Sequence, residues 1–91
     1  MSEAKAYFGT RGLLSRIEVG DDKKFVVDNL PTLTGVVGIY EGQTVGPSEF
    51  QVEKEGGAFS IILRSGKFMS TGHFEGPNLV TVPSSGSGAW E

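Results

Sequence analysis

Ser65-Gly66-Lys67 is the stretch of this 91-residue chain that first suggests chemistry. A glycine beside a lysine can hold a phosphate, the glycine letting backbone N–H groups close in and the lysine supplying an ammonium. Such a loop also needs a glycine five residues before the Gly-Lys pair and a helix after it. Ile61 stands at that position, and Phe68-Met69-Ser70-Thr71 reads as strand. The tripeptide is therefore expected to turn the chain between two strands.

Other reactive residue types are sparse. His73 is the single histidine, with Glu75 two residues on, and cysteine is absent. Metal sites and proton relays built on imidazole need a second ligand or an orienting carboxylate held in place, so no metal is expected. Asp21-Asp22 and the pair Glu53, Glu55 sit among turn residues, where solvated charge is the ordinary outcome. A calcium loop needs oxygen ligands at alternating positions and a distal glutamate, and DDKKFVVDNL runs into apolar residues instead. Gly86-Ser87-Gly88 lacks the spacing of the G-x-S-x-G nucleophile elbow. No catalytic residue and no cofactor is expected, and the chain reads as non-enzymatic.

Aromatic residues offer a binding chemistry. Tyr7, Phe8, Tyr40, Phe68 and Phe74 are interleaved with Lys5, Arg11, Arg64 and Lys67. Oligonucleotide-binding barrels stack bases and neutralise phosphates with that mixture. Arg64, Lys67, Phe68 and Phe74 are the contacts such a surface would use, for nucleic acid or a nucleotide. Against it, eight Lys and Arg face eleven Asp and Glu, and a net charge of −3 gives no long-range attraction for nucleic acid or anionic membranes. This is the second reading.

The elements that must position these residues follow from composition and period. Fourteen glycines and four prolines in a chain that is 37% hydrophobic and 21% charged point to many tight turns within one folded domain. Leu13, Ile17 and Val19 share a strand face with Ser15, while Arg16 and Glu18 lie opposite. Phe25 and Val27 repeat the pattern across the polar turn Gly20 to Lys23. In TGVVGIYEG, Val37 and Ile39 face one way and Val36 and Tyr40 the other. EFQVEK and AFSIILR flank Glu55-Gly56-Gly57, the strongest hairpin signal. KFMSTGHF, NLVTV after the turn Gly76-Pro77-Asn78, and an N-terminal AKAYF complete the set. Pro31 and Pro47 mark a loop and a loop or edge. The spacing of about ten residues per strand predicts an all-β domain. Its form is a small antiparallel sandwich or partly open barrel of seven or eight short, hairpin-connected strands.

The domain is expected over 1–83, with 84–91 a Gly/Ser-rich tail whose Trp90 packs onto something, since burying an indole offsets the cost of ordering a short tail. There is no basic-then-apolar leader and no run long enough to span a bilayer, so a soluble protein is expected. The leading functional reading is a protein-interaction or structural module that self-associates through exposed strands and the tail, using Val36, Val37, Ile39, Tyr40 and Trp90. Its partner is a second copy or another protein.

Overall fold

A computed structural model describes residues 2–55, 58–76 and 84–91, the side chains of Glu55 and His73 excepted. Eight strands run β1 (Ser2–Phe8), β2 (Leu14–Val19), β3 (Lys23–Val26), β4 (Thr34–Gly42), β5 (Pro47–Glu55), β6 (Ala58–Leu63), β7 (Gly66–Glu75) and β8 (Ser84–Trp90). Every pairing is antiparallel, in the order β1-β2-β3-β8-β5-β6-β7-β4, and β4 returns to β1 to close a barrel. The all-β antiparallel architecture is as the periodicity predicts, and the barrel is fully closed where a sandwich or a partly open barrel was expected. The expected strand NLVTV and the turn glycines Gly56 and Gly57 lie outside the described residues. Their flanks are in place, with Glu55 opposite Ala58 across β5 and β6.

An eight-stranded barrel is just wide enough for side chains to fill its interior, so the inward residue at every second position must together make a core. Aromatic rings make much of it. At one end Phe59 packs against Phe8 with centroids 5.6 Å apart, and it reaches Phe68, further along the barrel, at 6.2 Å. At the other, Trp90 lies between Phe25 at 5.3 Å and Tyr40 at 5.1 Å, and Phe50 meets Phe25 edge-on at 6.3 Å. Ile17, Val36, Val52 and Ile61 fill the space around them.

Two local expectations change. Leu13 is not on the inner face of β2; it is 57% exposed, and Leu14 and Ser15 are both buried instead. The register explains it. Tyr7 pairs with Arg16 but Phe8 pairs with Leu14, so Ser15 is the extra residue of a bulge and inverts the alternation upstream. The buried Ser15 hydroxyl donates to the carbonyl of Asp28 at 3.0 Å, while its own carbonyl accepts Val27 N at 2.9 Å.

The second change concerns the boundary at residue 83. Ser84–Trp90 is not a tail beyond the domain but β8, seated between β5 and β3. Gly86 and Gly88 point inward opposite Phe50 and Ser48. A Cβ on Gly86 would stand 2.9 Å from the Phe50 ring, and one on Gly88 would stand 2.5 Å from the Val26 carbonyl oxygen. The composition of a linker thus serves a strand whose inner positions must stay empty because neighbouring rings lie across them. Trp90 then closes the end of that strand.

Trp90→Ala should cost about 3–5 kcal/mol of unfolding free energy, the range for deleting a buried aromatic side chain. Urea denaturation would show a lower midpoint at nearly unchanged slope. A loss below ~1 kcal/mol, within the range of ordinary surface substitutions, would mean that the C-terminal residues do not complete the barrel.

Candidate functional site

Ser65 lies in the turn joining β6 to β7, and its hydroxyl is committed to structure. Tyr40 Oη donates to the Gln43 carbonyl at 2.5 Å, which uses the one phenolic proton. The 3.3 Å contact between Tyr40 Oη and Ser65 Oγ must therefore be donated by the serine. Ser65 Oγ in turn accepts Trp90 Nε1–H at 3.1 Å. The result is a one-directional chain, Trp90 to Ser65 to Tyr40 to Gln43, whose members polarise one another. Backbone bonds from Gln43 N to Ser65 O at 2.8 Å and from Trp90 N to Gly46 O at 2.9 Å brace the same end of the barrel. Gly66 is required beside it, since a Cβ there would lie 2.4 Å from Tyr40 Oη. Lys67 projects from the outer surface and a strand follows, so this turn forms no phosphate cradle.

The strand alternation divides both sets of expected contacts. Val36, Tyr40 and Trp90 belong to the core and are unavailable to a partner; of that group Val37 and Ile39 face outward. Phe68 is likewise fully buried, and Phe74 packs against Phe59 at 6.4 Å. Phe68 therefore offers no face beside Arg64 and Lys67, which are exposed, and Phe74 is partly buried against the core. Arg64 lies 3.8 Å from Glu49, both mostly in solvent, where such a pair contributes little. The backbone of His73 pairs with Val37, and Asp21 and Asp22 are exposed at the β2–β3 hairpin. Among the described residues no group of three His, Cys, Asp or Glu is placed to hold a metal ion.

Elsewhere on the outer surface Arg16 and Lys5 are each engaged by a carboxylate. Arg16 lies 4.1 Å from the centre of the Tyr7 ring and bonds Glu18 through Nε at 2.7 Å. Lys5 crosses above Gly35 to pair with Glu75, which raises its pKa, chiefly through that hydrogen bond.

What the alternation brings together instead is an apolar cluster on the outside of three adjacent strands. Met69 on β7 is 54% exposed, Ile39 on β4 38% and Ile62 on β6 37%. Ile39 pairs directly with Met69, and Met69 with Ser60, which puts Ile62 one diagonal step away. A groove of about 350 Å³ runs beside them, lined by Ile39, Glu41, Lys67, Met69, Ser70 and Thr71. Met69 and Ile62 were legible as outward positions once Phe68 and Ile61 were taken inward. The continuous apolar runs they sit in hid that step.

Compared with family models, curated proteins and solved structures, the chain matches none. The site is therefore read from its own chemistry. Its two parts differ in kind, a hydrogen-bonded lock inside one barrel end and an apolar face outside.

The lock makes two predictions. Ser65→Ala leaves the buried indole N–H without its acceptor and should cost about 1–3 kcal/mol in urea unfolding. Burial raises the Tyr40 pKa above its ordinary 10.0, with the Ser65 hydrogen bond opposing the shift. A folded pKa above the unfolded one means that Tyr40 contributes fully below pH 10.0 and that stability falls as pH climbs through the folded value. Tyr40→Phe should flatten that alkaline decline; an unchanged slope would show that Tyr40 does not set it.

Proposed function

We propose that this chain is a non-enzymatic protein-interaction module whose barrel presents the outer face of β4, β7 and β6 for self-association. The observation that carries the reading is Met69, which is more than half exposed between Ile39 and Ile62 on a barrel whose strands are paired into a closed ring. Scattered single apolar side chains are normal on a surface, but neighbours across three strands with a groove beside them are a contact-forming arrangement. Methionine suits such a face because its unbranched side chain repacks against different surfaces. The C-terminal strand has its own structural task, so association is assigned to the face and not to a tail. Val37 and Ile39 are retained from the expected interface.

An oligonucleotide-binding reading lacks a comparable support, because Phe68 is inside the core and Phe74 is packed against it.

Sedimentation equilibrium tests the proposal. The parent should exceed its 9.7 kDa monomer mass as concentration rises, and Met69→Glu should bring it back to monomer with its urea midpoint little changed. Fully burying a large apolar side chain contributes about 1.5–3 kcal/mol, so replacing it with a charge should weaken association at least tenfold. A parent that stays monomeric up to about millimolar concentration, where binding free energy is only ~4 kcal/mol, ends the reading.

A further inference from the structure

The groove carries a charge arrangement that specifies its occupant. Glu41 and Lys67 are cross-strand partners on β4 and β7, both exposed, and both line the groove beside Ile39 and Met69. Lys5 with Glu75, Arg16 with Glu18 and Arg64 with Glu49 form ion pairs on this barrel; among the described residues Glu41 and Lys67 do not. One acid and one base therefore lie side by side at one end of an apolar centre, with both charges available to a partner.

We infer that the occupant is a second copy of this chain, seated face to face about a twofold axis through the groove, so that Lys67 of each copy meets Glu41 of the other. The inference rests on the reading of this face as a self-association surface and adds the geometry of the contact. A twofold axis turns each contact between two different residues into a pair of contacts, so a surface with one acid and one base beside its apolar centre is its own complement. A strongly acidic or basic partner would satisfy one of the two charges and oppose the other. Twofold contact also ends growth at two copies, whereas a head-to-tail contact would continue into a chain or ring.

Charge reversal in trans tests this geometry. Lys67→Glu and Glu41→Lys should each lose self-association about tenfold or more, since like charges meet twice across the axis. Mixing the two variants in equal amounts should restore a species of twice the monomer mass, because each then presents the charge that the other lacks. Both positions are exposed strand sites, and the mixture separates effects between copies from effects within one chain. Met69→Cys gives a second reading in a chain that has no cysteine of its own. Near the axis it should oxidise to a covalent pair, while Val45→Cys, exposed at a loop away from the groove, should not. If Met69→Glu dissociates the parent but the mixed reversals remain monomeric and Met69→Cys does not cross-link, the face is an interface and the twofold arrangement is wrong. Restored species larger than two copies would also overturn it. A parent that never associates removes both this inference and the reading it rests on.

Discussion

Filling the inside of the barrel is the constraint from which the rest of the structure follows. Eight short strands enclose a volume that must be packed to near-crystalline density, and here aromatic rings occupy much of it at both ends. Rings of that size cannot all be accommodated beside ordinary side chains on every strand. β8 resolves the crowding by presenting Gly86 and Gly88 where Phe50 and Phe25 lie, then a single large residue, Trp90, where the end needs closing. The indole N–H would be costly to bury alone, which is why the serine in the β6–β7 turn and the phenol on β4 are arranged as successive acceptors. Turn, strand end and C-terminus are thereby fixed to one another by the same set of atoms.

That solution has a consequence for the exterior. Each strand pairs with a neighbour on both sides, so association by simple edge addition has little to use, and any apolar contact must come from faces. Strand alternation then decides which apolar residues are left outside. SIIL has no polar position for Ile62 once Ile61 is inside, and KFM leaves Met69 outside once Phe68 is inside. The exposed cluster is thus the outward remainder of strands whose inner halves are needed for the core. What makes it more than a remainder is the coincidence of three such positions on neighbouring strands, with a groove and a charge of each sign beside it.

Much of the fold was legible because two-residue alternation survives in short strands and the glycines mark their turns. Phe25, Phe50, Val52, Phe59 and Ile61 all occupy the faces the pattern assigns. Leu13 failed because a bulge at Ser15 shifts the phase by one, and a bulge is a pairing property that one strand's sequence does not display. Ser84–Trp90 failed for a different reason. Glycine weakens a strand taken alone, and only the rings packed over β8 explain why its inner positions must be glycine. The binding surfaces fared worse, since residues adjacent in sequence, such as Val36 and Val37 or Lys67 and Phe68, are sent to opposite sides of the wall. A site on a barrel is assembled from every second residue of neighbouring strands, and the pairing register must be known before those sets can be written down.

Magnitudes also bear on the kind of association this face supports. Ile39, Met69 and Ile62 expose roughly half or less of their surface, so covering them contributes about 1 kcal/mol each, counted once for each of two copies. Losing the freedom of a separate molecule costs an estimated 4–15 kcal/mol, and a net charge of −3 on each copy adds repulsion. The balance points to a weak, reversible contact in which the exchange of Glu41 and Lys67 selects orientation more than it adds strength. A weak contact of this kind requires a barrel that is stable before it meets a partner. The interior lock at Trp90 and the exterior face at Met69 are accordingly separate tasks, and the same strands perform both because their two sides never share a residue.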